Sequence, residues 1–263
     1  MKLKSIDNGN NFDWSMASSD YAKYRDIYPK EMYQMLNCFG VGKKGQKILD
    51  IGTGTGVIPR NMYACGYEGD FYGIDIADGQ IAMAKELSKS SNMDISYKVC
   101  SAEKLDFDND SFDTVIAVQC WSYLDKSKVI PEIKRVLKPD GELIVAFMSW
   151  LPEENEIVKK SFDIVHEFNP SWNGYDHRTE VTVPKWVEGN FRMTTFHAFD
   201  ADVPFTSQSW NGRMKASRGV GATLSPKEVE AFSKKHLKMI ENDFGKEFNI
   251  KHEIVIMKFK NIR

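Results

Sequence analysis

The sequence lacks the cysteine and histidine spacings that build disulfide frames and zinc sites. Its four cysteines are scattered and include no C-x-x-C pair: Cys38, Cys65, Cys100 and Cys120. Its five histidines show no spacing typical of metal ligands. These absences indicate reduced thiols, as in a cytoplasmic protein, and they predict no metal site.

An excess of one charge and long apolar runs are also missing. The 35 Lys and Arg residues nearly balance 37 Asp and Glu residues, which argues against a nucleic-acid partner. The longest apolar run, residues 143–151, is too short to span a bilayer, and residues 1–14 lack the apolar core of a signal peptide. We therefore expect a soluble, cytoplasmic protein without membrane contact, as a monomer or homodimer.

Residues 47–57 combine a short apolar strand, a glycine-rich turn and the start of a helix. Ile48, Leu49 and Ile51 are typical of a buried strand, and Gly52, Gly54 and Gly56 follow at alternate positions. Such glycines let the backbone turn tightly and approach a ligand closely. The helix N-terminus behind them would direct unpaired N–H groups at that ligand. The pattern predicts the first half of a nucleotide-binding βαβ unit.

The glycine register and one carboxylate indicate which nucleotide binds. In the dinucleotide pattern G-x-G-x-x-G, the third glycine would fall on Val57 or on Pro59, so neither register fits. Asp50, two residues before Gly52, would repel a pyrophosphate. A carboxylate there suits S-adenosylmethionine (SAM), which carries an ammonium and a sulfonium but no phosphate.

Asp50 to Gly56, with Thr53 between the glycines, resembles motif I of the class I SAM-dependent methyltransferases. Later stretches resemble the same family in the same order, including the turn at 137–141. The resemblance implies SAM as the cofactor and S-adenosylhomocysteine as the product. It also implies an α/β, doubly wound Rossmann-like fold: a seven-stranded mixed sheet whose last strand is antiparallel, with a helical or loop cap.

The position of an acidic residue at the end of the next predicted strand supports a ribose site. The predicted second strand ends in Asp75, with Ile76 behind it, and Asp75 lies 75 − 56 = 19 residues beyond Gly56. A ribose-binding acid is expected about 20 residues on. Further along, Ser101-Ala102-Glu103 resembles the adenine-binding turn of the family, with Ser101 in place of its usual Asp. We therefore expect all five residues to bind cofactor.

The other predicted site residues come from strand ends and from the flanks. The fourth strand, 111–118, ends at Gln119 and Trp121, which we expect to lie at the cofactor and acceptor, respectively. In the arm before the glycine turn, Tyr21 to Arg25 resembles a lead-in segment of the family, which implies that Tyr21 and Arg25 contact the methionine carboxylate. The alternative, an arm whose aromatic residues only pack on the core, stays open.

Three regions are predicted: an arm at 1–46 that covers the cofactor site, a SAM-binding core at 47–150, and residues 151–263. The last region would hold a lid at about 153–190, strands at 191–205 and 252–260, and a helix at 225–242. It also contains a basic, glycine-rich segment at 209–221, similar to Trp-x-Gly-Arg segments in trans-aconitate-type carboxyl methyltransferases. Candidates for acceptor binding are Trp121, Tyr175, His177, Arg178, Trp210, Arg213 and Arg218.

The predicted activity is methyl transfer from SAM to a small-molecule acceptor. A carboxylate acceptor would suit the arginines and needs no general base, so we assign no catalytic residue. Two alternatives remain. A protein of this fold could bind SAM without transferring its methyl group, as a sensor or partner subunit. A dinucleotide oxidoreductase is disfavoured by the glycine register and Asp50.

Overall fold

The computed structural model describes residues 6–174 and 177–262. They form two compact units, which we name by their content. The sheet unit comprises residues 29–148, 179–199 and 254–262. The helical unit comprises residues 6–28, 149–174, 177–178 and 200–253.

Seven strands form one sheet. They are β1 (Lys47–Ile51), β2 (Asp70–Asp75), β3 (Ser96–Val99), β4 (Phe112–Val118), β5 (Leu137–Trp150), β6 (Phe191–Thr206) and β7 (Glu247–Asn261). Their order is β3-β2-β1-β4-β5-β7-β6. The first five strands pair in parallel and the last runs antiparallel. The predicted mixed sheet is therefore confirmed, because helices after β1, β2 and β4 supply the crossovers that parallel pairing needs.

The helices of the described residues alternate with the first strands and then cluster late in the chain. They are α1 (Ser18–Tyr24), α2 (Lys30–Cys38), α3 (Val57–Ala64), α4 (Asp78–Ser90), α5 (Lys126–Val136), α6 (Glu156–Phe168), α7 (Ser207–Lys215) and α8 (Pro226–Asp243). Across the part of the chain that the structure covers, none of them is long and apolar enough to cross a membrane.

The core of the sheet unit is built on its central strands. Leu49, Val115 and Val145, from β1, β4 and β5, are all fully buried in one apolar cluster. Strands covered on both faces become nearly continuous apolar runs. A polar residue inside such a strand, such as Asp50, therefore stands out.

The first part of the basic, glycine-rich segment, residues 209–214, lies within helix α7. Thr206 caps α7, and its side chain and that of Ser209 bond reciprocally to each other's backbone N–H. Gly212 is there for packing: a Cβ at this position would lie 2.5 Å from the ring of Tyr24. β7 also begins at Glu247, five residues before the predicted strand.

Candidate functional site

The glycine turn after β1 is held in shape by close packing. Gly52 and Gly56 both have positive φ, at 65° and 75°, which favours glycine. A Cβ on Gly52 would lie 2.6 Å from Cβ of Cys120, and one on Gly56 would lie 2.3 Å from the Tyr97 hydroxyl. The N–H of Thr53 donates to the carbonyl of Ile74 at 2.8 Å. The turn is therefore fixed between β2, β3 and the end of β4.

Asp50 is a carboxyl group within the buried part of β1. It is 3% exposed, and its Oδ2 accepts a hydrogen bond from the Thr53 hydroxyl at 2.6 Å. Burial raises the pKa of Asp50 to about 7, and the charge of Asp75 contributes in the same direction. The hydrogen bond from Thr53 offsets only part of this rise. A positive charge placed beside Asp50 would favour its ionised form.

Asp75 ends β2 beside the glycine turn, as the spacing predicted. Its Oδ2 accepts from the N–H of Gly54 at 3.0 Å, and its Oδ1 accepts from the N–H of Ala77 at 2.9 Å. Burial raises the pKa of this carboxyl as well. The next residue, Ile76, is 60% exposed although it is apolar. An exposed aliphatic side chain next to a half-buried carboxylate can pack on a flat ring whose sugar the carboxylate holds.

The turn at Ser101, Ala102 and Glu103 has internal structural roles. The Ser101 hydroxyl accepts from the N–H of Glu103 at 3.2 Å, and Ala102 is buried. Glu103 Oε1 accepts from the N–H of Asp125 at 3.0 Å. Glu103 thereby ties this turn to the loop after β4. Its predicted contact with adenine stays a prediction.

The end of β4 has an unusual backbone. Gln119 has φ of 57°, in a region that favours glycine, and its side-chain amide donates to the carbonyl of Met148. The Cys120 thiol donates to the carbonyl of Ile51 at 3.0 Å. Desolvation, followed by the carboxylates of Asp50 and Asp75, raises the pKa of Cys120 well above its ordinary value. Cys120 is therefore a neutral thiol at pH 7 that links β4 to the glycine turn.

Trp121 packs in the core of the sheet unit instead of lining an open surface. It is buried, and its ring lies 4.8 Å from that of Trp186. The Lys126 ammonium lies 4.9 Å from the centre of the Trp121 ring and donates to its carbonyl at 2.5 Å. These contacts favour a structural role, and the predicted acceptor contact stays a prediction.

Tyr21 and Arg25 lie together in the helical unit. The Arg25 guanidinium is 4.4 Å from the centre of the Tyr21 ring and 6.0 Å from that of Trp14. The arm thus makes its own aromatic cluster from Trp14, Tyr21 and Arg25. Its predicted contacts to the methionine carboxylate stay a prediction.

Trp210 and Arg213 are both buried on α7. Trp210 is fully buried, and its indole N–H donates to the Ser161 hydroxyl at 3.0 Å. The Arg213 guanidinium lies 4.5 Å from the centre of the Trp150 ring. Trp210 therefore packs α7 against α6, whereas Arg213 brings a positive charge into an aromatic environment.

The remaining acceptor candidates differ in their surroundings. Arg178 donates to the carboxylates of Glu154 and Asp200 at 2.6–3.0 Å, so it belongs to a surface ion cluster. Arg218 forms a 3.0 Å ion pair with the buried Asp7. His177 is exposed. Tyr175 lies outside the described residues.

Two site features escaped sequence reasoning. Tyr97 of β3 fits under Gly56 and accepts from the Ser88 hydroxyl at 3.1 Å. Its burial raises its pKa to about 12. His252 of β7 is buried near the aromatic residues around Arg213. Neither carries a local signal, because a tyrosine or histidine in an alternating strand is compatible with simple packing. Over residues 6–174 and 177–262, no cluster of three His, Cys, Asp or Glu side chains could hold a metal ion.

Comparison with known proteins relates this geometry to a family. Residues 42–200 match the family model described as "Methyltransferase domain". The ubiquinone/menaquinone biosynthesis C-methyltransferase UbiE of Bordetella avium is 30% identical over 135 residues, which are 49% of this chain. The matched part is 53% of that relative, so the chain spans about half of its length.

Solved structures show the same fold at low identity. The YcgJ protein from Bacillus subtilis has a TM-score of 0.55 and 18% identity, and the match covers 89% of this chain and 100% of that one. The geranyl diphosphate C-methyltransferase from Streptomyces coelicolor, solved with S-adenosyl-L-homocysteine, has a TM-score of 0.50 and 14% identity. That match covers 88% of this chain and 76% of the other.

Proposed function

Since the chain belongs to the class I SAM-dependent methyltransferases, we propose that it transfers the methyl group of SAM to a small-molecule acceptor. The observation that carries the proposal is the pair of carboxyl groups at the glycine turn, of which Asp50 is buried and Asp75 is half-buried. The family, the fold and the cofactor agree with the resemblance in the sequence.

The residues at the turn fit this cofactor. Desolvation raises the pKa values of both Asp50 and Asp75, so this part of the sheet unit favours a cationic ligand. SAM provides an ammonium and a sulfonium, whereas a dinucleotide would add phosphates. The charge at the turn therefore supports SAM over the oxidoreductase alternative.

Each neighbouring group has a chemical role in this proposal. Asp75 would accept from the ribose hydroxyls, because each of its oxygens keeps a lone pair beside its bond to Gly54 or Ala77. Ile76 would pack on the adenine ring. The glycine turn and the N–H groups of α3 would face the ligand without Cβ atoms in the way. We propose Ser101, Ala102, Glu103, Gln119, Tyr21 and Arg25 as further cofactor contacts.

When bound, SAM supplies an electrophilic methyl group on a good leaving group. The chain then mostly has to hold the acceptor atom in line with that methyl group. A carboxylate acceptor needs no proton removed, and a buried arginine such as Arg213 suits carboxylate binding. We propose Trp121, His177 and Trp210 as weaker candidates. We also propose a cytoplasmic monomer or homodimer without nucleic acid, in keeping with its nearly balanced charge and scattered thiols.

The test uses methyl-labelled SAM with the protein and a fractionated cell extract. We expect label in the small-molecule fraction and not in RNA or protein. Asp75→Ala should abolish labelling, whereas Asp70→Ala, at the exposed start of the same strand, should retain it. Tight SAM binding with no labelled fraction would favour the sensor or partner-subunit alternative, and absent SAM binding would refute the proposal.

A further inference from the structure

The helical unit contains a cavity of about 460 Å³ between the arm and helix α8. This volume is within the range of about 300–1,000 Å³ that is typical of small-molecule sites. The lining comes from the arm at Met16, Ala17 and Asp20, from the end of α7, from the loop at 216–224, and from α8. All of these segments belong to the helical unit. The cavity is therefore a feature of that unit alone.

Small and aliphatic residues form the apolar part of the cavity. Gly221 has no room for a side chain, because a Cβ there would lie 2.3 Å from the carbonyl oxygen of Lys215 and 3.3 Å from Cβ of Ala17. The apolar lining residues are Met16, Ala17, Leu224, Pro226 and Val229. An aliphatic group that enters the cavity would leave water and pack on these side chains, which is favourable.

The polar wall of the cavity carries charges of both signs. Lys215 and Asp20 form an ion pair at 3.1 Å, and their side chains are 26% and 31% exposed. Lys234 and Glu230 form a second pair at 2.7 Å, with side chains that are 76% and 66% exposed. Solvent screens the second pair more strongly, so we expect the first pair to dominate binding. The wall has no net charge, because each ammonium lies beside a carboxylate.

The less exposed pair and a nearby hydroxyl have hydrogen-bonding capacity left for a ligand. An ammonium carries three N–H donors, and the two oxygens of Asp20, at 3.1 and 3.3 Å, take two from Lys215. A carboxylate has about four acceptor positions, so Asp20 can accept from a ligand as well. Ser233 also lines the cavity, and its oxygen accepts from the Asn211 amide at 2.7 Å while its O–H stays a donor. The wall therefore offers donors for an anion beside an acceptor for a cation.

We propose that this cavity binds a free α-amino acid with an aliphatic side chain. A ligand with a single charge would be attracted by one member of the Lys215–Asp20 pair and repelled by the other. A zwitterion avoids this conflict, because its carboxylate contacts Lys215 and Ser233 while its ammonium contacts Asp20. Its side chain then packs on the aliphatic lining. The site goes beyond the proposed methyl transfer and does not depend on it.

The test titrates the full chain without SAM and follows the ¹³C-methyl signal of Met16, a lining residue that is 56% exposed. Met16→Leu assigns this signal. The probes are leucine, N-acetylleucine, which lacks the positive charge, and leucinamide, which lacks the negative charge. The titration is run at about pH 6.5, where α-amino groups are protonated.

Leucine should shift the Met16 signal with a Kd on the order of a millimolar, as expected for a small ligand at a partly exposed site. N-acetylleucine and leucinamide should each bind about tenfold more weakly, because each loses one charge-assisted contact.

Two variants assign these preferences to residues. Lys215→Met keeps a long side chain without its charge, and it should bind leucinamide at least as tightly as leucine. Asp20→Asn should bind N-acetylleucine at least as tightly as leucine. The matched controls are Lys235→Met and Asp243→Asn, which change ion-pair residues of the same unit outside the cavity lining. Both controls should keep the preference for leucine.

Three outcomes would overturn the inference. The first is a Met16 signal that does not move at leucine concentrations on the order of 10 millimolar. The second is equal binding of the three probes, which would show an apolar contact only. The third is an unchanged preference for leucine in both cavity variants. If a variant fails to fold, the comparison of the three probes on the natural protein still decides. Since no SAM is present, a negative result leaves the proposed methyl transfer standing, and failure of the labelling test leaves this site standing.

Discussion

Replacing Asp50 by asparagine should stabilise the ligand-free protein and weaken its binding of SAM. Asparagine has nearly the same shape, and its oxygen can still accept from the Thr53 hydroxyl. The variant removes a carboxyl that is 3% exposed and has a pKa of about 7 instead of 3.8. The two expected effects have opposite signs, which a purely structural aspartate would not produce.

The magnitude follows from linkage between protonation and folding. The folded-state pKa of Asp50 is above the unfolded value, so the native protein binds the proton more tightly and loses stability as pH rises from about 4 to about 7. The interval between 3.8 and about 7, at about 1.36 kcal/mol per pH unit, gives an upper limit of about 4 kcal/mol. Asp50→Asn should therefore gain about 1–3 kcal/mol at pH 8 and almost nothing at pH 4.

The assay is urea unfolding of both proteins without ligand at pH 4, 5, 6, 7 and 8. The difference in the free energy of unfolding should widen up to about pH 7 and then level off. SAM should bind the variant at least about tenfold more weakly at pH 8, because a charge-assisted contact is lost. Asp70→Asn, on the exposed end of β2, serves as the control. A variant that is less stable at pH 8, or that binds SAM equally well, would refute the reasoning.

Three more predictions concern Gly56 in the glycine turn, Arg218 in the helical unit, and Asp50. Gly56→Ala should lower the free energy of unfolding in urea by about 2–4 kcal/mol, because its Cβ would lie 2.3 Å from the Tyr97 hydroxyl. The control Gly45→Ala has a similar φ but no atom within 4 Å of the new Cβ, so it should lose only about 1–2 kcal/mol. Equal losses would contradict this prediction. Arg218→Met should cost about 3–5 kcal/mol, because it leaves Asp7 buried and charged without its ion pair. Lys160→Met, which removes only exposed ion pairs, should change the free energy of unfolding little, and a similarly small loss in both variants would show that the Asp7 pair is unimportant. SAM binding at pH 7 should release protons from Asp50, which calorimetry detects as a binding enthalpy that depends on the buffer. Asp50→Asn should abolish most of this dependence. An unchanged dependence in the variant would exclude Asp50 as the source of the protons.

The sheet could be predicted from the sequence because its signals are local. The apolar run of β4 and the glycine turn after β1 each indicate a buried strand or its end without knowledge of neighbours. The helix α7 could not be predicted in the same way. Its glycine is tolerated because Tyr24, nearly two hundred residues earlier, packs against it, and that contact leaves no mark in the local pattern.

The cofactor residues were easier to predict than the acceptor residues for a related reason. Asp75 was found from a fixed spacing to Gly56, which the βαβ unit imposes. Trp210 and Arg213 were found only by composition, and composition does not distinguish a ligand contact from a packed side chain. Both residues are buried, and their contacts distinguish them: the indole N–H of Trp210 donates to Ser161, whereas Arg213 brings a charge among aromatic rings.

Asp50 and His252 show when a violation of local rules is visible in a sequence. Asp50 lies between Leu49 and Ile51, both fully buried, so a charge there contradicts the strand pattern and already indicates a ligand. His252 is as deeply buried, but its strand alternates with charged neighbours at Lys251 and Glu253, which hides the anomaly. Only the bond from Nδ1 to Ile250 reveals that Nε2 is an acceptor in need of a donor. A polar residue therefore signals function when its surroundings contradict it. Those surroundings can be read from the sequence for an apolar strand that is buried on both faces, but not for a strand in which charged residues flank the buried histidine.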